Sequence, residues 1–201
     1  MPPPKMFILD SNAYFRLAIS IHPLLGQKFG KSTNEQYVLR VIAQLDAEYS
    51  RSTRLRHKFH WVGKPKYKEN RMAEQLKVIG KQKVEMEQAR SFILSTEKDL
   101  GCNLSLVDAT ALATGFVKQQ PVVTDDKDMC AVANELGIEV WSLLQLLKLM
   151  LDEGHIDLDK TKEVAQFLDY ENDLPSGRSK FIQHFRQFFG VAPFNDASPS
   201  S

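Results

Sequence analysis

The chain has 201 residues, of which 43% are hydrophobic and 25% are charged. These values are typical of a globular protein with a real core and exclude wholesale disorder. Two cysteines are too few for a disulfide scaffold, and the longest apolar run is too short to span a bilayer, so we expect a cytoplasmic protein without a membrane segment.

The net charge of +1 is unevenly distributed along the chain. Residues 51–90 carry twelve Lys and Arg against four acids, whereas residues 91–175 carry six Lys and Arg against sixteen acids. A basic half beside an acidic half indicates a polyanion held next to a cation-binding site. The alternative is two solvated helical faces of opposite charge that pack on each other.

The first predicted element is a buried parallel strand over residues 5–9, which ends at Asp10. Ser11 and Asn12 follow, and a short apolar helix then begins. An acid between a strand end and a helix start is typical of a cation or phosphate site. The same residue would also serve simply as the cap of the helix.

The middle of the chain is predicted to be largely helical. Apolar residues recur at three- and four-residue spacing over residues 33–49 and predict a helix that continues into the basic segment at 51–58. Residues 59–62 are predicted as a strand or sheet edge. A second long helix is predicted over residues 67–96, with a kink at Gly80.

Beyond residue 100, helices and strands alternate in a βαβα rhythm, which predicts a parallel sheet with right-handed crossovers. Ser105 is predicted to cap a helix over residues 105–118, with Asp108 in its first turn. The elements that follow are a strand over residues 121–124, a helix that ends at Gly137, a strand over 138–141 and a helix from Ser142 to Gly154.

The last part of the chain has a different composition. Two helical segments are predicted near residues 159–170 and 178–189, and the phenylalanines of the second predict that it docks on the domain rather than stacking on bases. We therefore divide the chain into a domain over residues 1–154 with a long helical, basic insertion near 33–98, a docked helical extension over 155–192 and a disordered tail over 193–201.

Four carboxylates, those of Asp10, Asp108, Asp126 and Asp128, are predicted to converge at the carboxyl edge of the sheet. Uncompensated, they would repel one another and raise each other's pKa values. An oxygen-only ligand set suits Mg²⁺ or Mn²⁺, and one or two such ions would orient a scissile phosphate and activate water. Thr124 is predicted to orient a neighbouring carboxylate by hydrogen bonding.

Several of these acids also have a purely structural interpretation when taken alone. Asp108 fits an ordinary acid of a first helical turn, Asp128 fits a helix N-cap, and Asp125 fits a solvated turn residue. The ordered combination is more specific than any member, and Asp126 is the strongest single candidate for function.

Three motifs carry a resemblance to a known family: Phe-Ile-Leu-Asp10-Ser-Asn, Leu-Val-Asp108-Ala-Thr-Ala-Leu-Ala and Val-Val-Thr124-Asp125-Asp126-Lys-Asp128. With them the chain resembles the PIN-domain family of metal-dependent nucleases. The resemblance implies an α/β fold, a PIN-like three-layer α/β/α sandwich with a central parallel sheet, here with a helical C-terminal extension.

The resemblance also implies an activity, the metal-dependent endonucleolytic cleavage of single-stranded RNA with Mg²⁺ or Mn²⁺. In that pattern Asp10, Asp108 and Asp126 take the acid positions and Asp128 the accessory one, with Thr124 as an orienting residue. Asn12 is a second orienting candidate.

Two further properties of the family bear on partners. Many members are toxins of toxin–antitoxin pairs, so an antitoxin or another protein inhibitor is an implied partner. PIN-like domains often pair, which makes a homodimer a hypothesis.

The family usually has one more acid, a Glu early in the helix after the second strand. If residues 59–62 are that strand, Glu69 is the best candidate, with Glu74 and Glu48 behind it.

Substrate contacts are predicted from the basic segment, where aromatic residues are interleaved with cations. The aromatic side chains of His57, His60, Trp61 and Tyr67 would stack on unpaired bases, although Trp61 fits the core equally well. The cations expected to contact RNA phosphates are Arg54, Arg56, Lys58, Lys64, Lys66 and Lys68.

Two rival functions are weighed against the nuclease. A phosphatase of the haloacid-dehalogenase type needs a second acid two residues after Asp10, where the chain has Asn12. The serious rival is a non-catalytic PIN-like module that binds RNA or a protein. Asp10→Asn and Asp126→Asn variants discriminate, because only a nuclease loses cleavage.

Overall fold

The computed structural model describes residues 3–194, which contain one six-stranded sheet. The strands are β1 (Lys5–Leu9), β2 (Lys28–Ser32), β3 (Glu35–Ile42), β4 (Gln75–Leu76), β5 (Val122–Val123) and β6 (Val140–Trp141). Their order is β2-β3-β1-β5-β6, and β4 pairs with the C-terminal end of β3. Every pair is parallel except the hairpin of β2 and β3.

Helices account for most of the remaining described residues. They are α1 (Ser11–Leu17), α2 (Gln44–Arg51), α3 (Thr53–Lys58), α4 (Pro65–Glu74), α5 (Lys81–Leu100), α6 (Leu106–Lys118), α7 (Lys127–Glu135), α8 (Leu143–Asp152), α9 (Leu158–Tyr170) and α10 (Arg178–Phe189).

Each face of the sheet is covered by its own apolar core. Along β1 the side chains alternate between the two faces, so Phe7 and Leu9 belong to one core and Ile8 to the other. The first core joins the sheet to α1, α8, α9 and α10. The second joins it to α5, α6 and α7. This arrangement confirms the predicted three-layer α/β/α fold.

The helix predicted over residues 33–49 is wrong in its first half. Residues 28–42 form the β2–β3 hairpin, and only residues 44–51 are helical, as α2. Five of the six residues from Tyr37 to Ile42 are apolar, because β3 lies inside the sheet and buries both of its faces. So dense an apolar run fits the helical period as well as a strand.

The two predictions for the adjoining segment are also wrong. His60–Gly63 is a 3-10 turn rather than a strand. The long helix predicted over residues 67–96 is divided into α4 and α5, with the edge strand β4 between them. Gly80 has φ +58° and comes directly before α5, so the chain breaks there instead of kinking.

The alternation predicted beyond residue 100 is confirmed. Ser105 caps α6 and Ser142 caps α8, each in a capping box with the side chain three residues on. Both β1–β5 and β5–β6 are parallel pairs. The carboxyl ends of β1 and β5 are therefore neighbours.

The C-terminal helices α9 and α10 pack on the sheet domain. Phe181 and Phe185 are 1% and 0% exposed and belong to the same core as β1. Phe194 packs against that core, which contradicts a disordered tail from residue 193, whereas residues 195–201 of that prediction lie outside the described residues. None of the helices described is long and apolar enough to cross a membrane.

Candidate active site

The site begins where β1 and β5 end side by side. Leu9 is in register with Val123, and the Asp10 amide donates to the Val123 carbonyl at 3.1 Å. Asp10 and Thr124 are thus the first residues beyond two adjacent strands. The carboxyl edge of a parallel sheet is where ligands bind in open α/β folds.

Asp10 is a buried carboxylate, only 3% exposed. It is the N-cap of α1, and its Oδ1 accepts from the Ala13 amide at 2.5 Å. Burial raises the pKa of Asp10 from 3.8 to about 7, against hydrogen bonds from Thr124 and Ala13, and the charges of Asp108 and Asp125 raise it further. At neutral pH this group lies between its acid and its carboxylate form.

Asp108 lies in the first turn of α6, where the capping box fixes its carboxylate. Its Oδ2 accepts from the Ser105 amide at 3.0 Å, and its own amide donates to the Ser105 hydroxyl at 3.1 Å. Burial raises the pKa of Asp108, and the charge of Asp126 raises it further. The two hydrogen bonds with Ser105 act in the opposite direction. Asp108 is therefore close enough to both Asp10 and Asp126 for their charges to interact.

Asp126 is exposed and holds the start of α7. Its Oδ1 accepts from the amides of Asp128 and Met129, both at 2.9 Å. The N-cap of α7 is therefore Asp126, and the N-cap role considered for Asp128 is wrong. Asp128 instead accepts from the Asn103 amide at 3.0 Å, which ties α7 to the segment before α6.

Thr124 connects the acids of the two strand ends. Its side chain is 1% exposed, its hydroxyl hydrogen-bonds Asp10, and its Oγ1 accepts from the Asp126 amide at 3.1 Å. The hydroxyl also lies 3.4 Å from the Met129 sulfur. Thr124 therefore contacts both the Asp10 side chain and the Asp126 backbone.

Asp125 is not the solvated turn residue that its position in the sequence indicated. Its side chain is only 13% exposed. Oδ1 accepts from the Leu143 amide at 3.3 Å, and Oδ2 lies 3.6 Å from Nη1 of Arg16. Burial raises the pKa of Asp125, while Arg16 and the Leu143 amide oppose that rise.

The fourth acid near the site is Glu48, not the favoured Glu69. Glu69 is exposed on α4, and Glu74 pairs with Arg40. Glu48 lies on α2, directly after the second parallel strand, and accepts a hydrogen bond from the Ser11 hydroxyl. Burial raises the pKa of Glu48, and the charge of Asp108 raises it further. The hydrogen bond from Ser11 lowers it.

The first turn of α1 also differs from the expectation. Asn12 was predicted to orient the acids, but it is exposed, and its side chain makes no hydrogen bond within residues 3–194. Ser11 is buried and contacts Glu48 instead. A helix that begins at Ser11 turns the following residue toward solvent, because successive side chains of a helix point about 100° apart.

The donor chemistry of the site fits a hard divalent cation, although the carboxylates are not gathered around one point. Across residues 3–194, no three His, Cys, Asp or Glu side chains are placed so that they could hold a metal ion as they stand. Asp10, Asp108 and Asp126 are each held by backbone amides instead. All are oxygen donors. Burial first, and the charges of neighbouring acids after it, raise the pKa values of Asp10 and Asp108, and a bound cation would favour the charged form of both groups.

The basic residues predicted to bind RNA form two groups. Arg54 and Arg56 are exposed on α3, the helix that follows α2, and Lys58 pairs with Asp173 at 2.8 Å. The second group surrounds the start of α4 and comprises the exposed Lys64, Lys66 and Lys68.

The second basic group lies away from the acids. Lys66 is above the Tyr67 ring, which packs on His22, and His22 is beyond the end of α1 opposite Asp10. Trp61 and Tyr67 are each 4% exposed and belong to the core, so their predicted stacking on bases is wrong, whereas His57 and His60 are exposed.

Comparison with known proteins adds the family. A family model with the description PIN domain matches residues 58–172, more than half of the chain. The matched range contains Asp108, Asp126 and Asp128. No curated protein matches the chain. A chain of the crystal structure of FitAcB from Neisseria gonorrhoeae is similar with a TM-score of 0.43 and 15% identity, over 69% of this chain and 98% of that chain.

Proposed function

Because the chain belongs to the PIN-domain family, we propose that it is a metal-dependent endoribonuclease that cleaves phosphodiester bonds of single-stranded RNA. PIN domains are generally nucleases that use divalent metal ions. The observation that carries the proposal is the buried Asp10, whose pKa of about 7 reflects burial and the charges of neighbouring acids at the carboxyl edge of the sheet. A structural cap has no need of so costly an environment.

The residues proposed to hold Mg²⁺ or Mn²⁺ are Asp10, Asp108, Asp126 and Asp128, with Glu48 in the place first given to Glu69. When bound, such an ion lowers the pKa of a water nucleophile and neutralises charge on the phosphate. A bound cation would favour the carboxylate form of Asp10, whose pKa burial raises to about 7.

Thr124 is proposed to act through Asp10. Its hydroxyl donates to the Asp10 carboxylate, a bond that favours the charged form, and its Oγ1 accepts from the Asp126 amide. One side chain therefore fixes the relative position of two acids. The Ser11 hydroxyl holds Glu48 in the corresponding way on the other side of Asp10.

Substrate binding is proposed for the first basic group. Arg54 and Arg56 are exposed and lie on the helix that directly follows α2, which carries Glu48. Arginines at this place would hold the RNA backbone next to the acids. Lys64, Lys66 and Lys68 are farther away and would contact a more distant part of the RNA.

A non-catalytic RNA-binding module is the second candidate. The absence of a preassembled metal-holding group among the described residues favours it. Under this alternative the acids would cap helices and the exposed cations would bind RNA without cleavage.

The discriminating experiment measures binding and cleavage on the same labelled single-stranded RNA, in Mn²⁺, in Mg²⁺ and in EDTA. The nuclease proposal predicts metal-dependent cleavage that Asp126→Asn abolishes while RNA binding persists. Binding without cleavage by the wild-type protein would support the module instead. A parallel single-stranded DNA of the same sequence tests the choice of RNA.

The remaining roles are proposals that follow from the family and the composition. They are a toxin with an antitoxin partner, a homodimer and a cytoplasmic location. Sedimentation tests the homodimer, because a single species of 22.9 kDa would exclude it.

A further inference from the structure

A chain of ion pairs joins the C-terminal segment to the candidate site. Asp173, which follows α9, accepts from Nε of Arg16 on α1 at 3.1 Å through its Oδ2. Arg16 in turn places Nη1 3.6 Å from Oδ2 of Asp125. The other oxygen of Asp173 accepts from Lys58 at 2.8 Å. Four segments distant in sequence thus contribute two carboxylates, one guanidinium and one ammonium group to the same cluster.

These groups are shielded from water. The side chains of Arg16, Asp125 and Asp173 are 14%, 13% and 18% exposed. Oδ2 of Asp125 is buried and has no hydrogen-bond partner within the described residues, so the nearby Arg16 supplies its compensating positive charge. A carboxylate buried without such a partner is strongly destabilising.

Asp125 lies between two residues that belong to the candidate site. It separates Thr124, which hydrogen-bonds Asp10, from Asp126, which caps α7. Without Arg16 the Asp125 carboxylate would move toward solvent, because its nearest charged neighbour would then be the acidic site. That movement would displace both flanking residues.

We infer that Arg16 and Asp173 are positioning residues of the candidate active site, so that the C-terminal segment is a working part of the site. The inference rests on the proposed nuclease function for its effect on cleavage. Arg16 acts through Asp125, and Asp173 acts by holding Arg16. Neither residue is assigned a contact with substrate.

The test is a double-mutant cycle in which Arg16 and Asp125 are neutralised singly and together. We expect Arg16→Gln to increase amide hydrogen exchange of residues 122–129 in the metal-free protein and to lower kcat/KM for RNA about tenfold or more. Asp125→Asn alone has a small effect. The double variant restores both readouts, because the neutral side chain no longer needs a cation.

Two single variants complete the design. Asp173→Asn changes both readouts in the same direction as Arg16→Gln, but less. Arg178→Gln is the matched control, since Arg178 forms an exposed pair with Asp169 on the same C-terminal segment, and it leaves both readouts unchanged.

Unchanged exchange and cleavage in Arg16→Gln would overturn the inference. So would a double variant as impaired as Arg16→Gln, because that result assigns Arg16 a packing role only. If the wild-type protein does not cleave RNA, the proposed function fails. The exchange data for residues 122–129 still decide whether Arg16 holds the segment around Asp125 in place.

Discussion

Removal of the Asp10 charge is expected to stabilise the metal-free protein at high pH. Burial first, and then the charges of Asp108 and Asp125, raise the pKa of Asp10 from 3.8 to about 7. A shift of about three pKa units, at about 1.4 kcal/mol per unit, lowers the free energy of unfolding by about 4 kcal/mol when Asp10 is ionised. We expect a measured cost of roughly 2–4 kcal/mol, because the neighbouring acids can shift away from the ionised Asp10.

The sign follows from proton binding. Between about pH 4 and pH 7 the folded state keeps the Asp10 proton while the unfolded chain has lost it, so the free energy of unfolding falls as pH rises. The penalty is complete above the folded-state pKa. Asp10→Asn removes it and keeps the cap of α1, since Asn and Asp are equally good N-caps.

The assay is urea unfolding of the metal-free wild type and Asp10→Asn at pH 5 and pH 8. The stabilisation by Asp10→Asn should be larger at pH 8 by roughly 2 kcal/mol. Asp99→Asn, which removes an exposed carboxylate on α5, is the control and should change stability by less than about 0.5 kcal/mol at either pH. An Asp10→Asn variant less stable than the wild type at pH 8 would refute this reasoning.

Three other substitutions test the site and its frame. Glu48→Gln should lower the rate of RNA cleavage about 100-fold, whereas Glu69→Gln leaves it unchanged; equal losses would contradict the assignment of Glu48. Arg71→Met should lower the free energy of unfolding by about 2–3 kcal/mol in urea, because it leaves the buried Tyr14 hydroxyl and Val62 carbonyl without their hydrogen-bond donor, and a neutral result would refute that. Phe185→Ala should cost about 3–5 kcal/mol in the same measurement if α10 is part of the core, and less than about 1 kcal/mol if it is not.

The carboxyl edge of the sheet could be predicted from sequence because its signals are local. The run that ends at Asp10, the capping box of Ser105 and Asp108, and the strand before Thr124 are each complete within a few residues. A parallel sheet then requires that these ends meet on one side. The parallel sheet follows from the alternation of helices and strands beyond residue 100, whereas the three-layer fold rests on the resemblance to the PIN-domain family.

The position of the fourth acid is not predicted correctly from sequence, because the apolar run of β3 fits a helix as well as a strand. If residues 33–49 are a helix, residues 59–62 are the next candidate for the second strand, and Glu69 then follows it. The polar turn residues Thr33 and Asn34, directly before the apolar run from Tyr37 to Ile42, are the local signal for a hairpin. A hairpin there makes β3 the second parallel strand, and the helix that follows it is α2, which carries Glu48.

The surroundings of Asp125 could not be predicted from sequence. Its partners are Arg16 from α1 and the Leu143 amide from α8, and the sequence does not specify which distant groups meet. The same holds for Asp173 and Lys58. Long-range ion pairs depend on packing that no local pattern encodes.

The most direct measurement of the central claim is cleavage of internally labelled single-stranded RNA by the wild type and Asp108→Asn, purified in parallel. Asp108 is the acid whose charge interacts with Asp10, Asp126 and Glu48. The nuclease account predicts cleavage by the wild type in Mn²⁺, none in EDTA, and a loss of about 100-fold or more in Asp108→Asn. Equal cleavage by the two proteins, or none by the wild type, would contradict it.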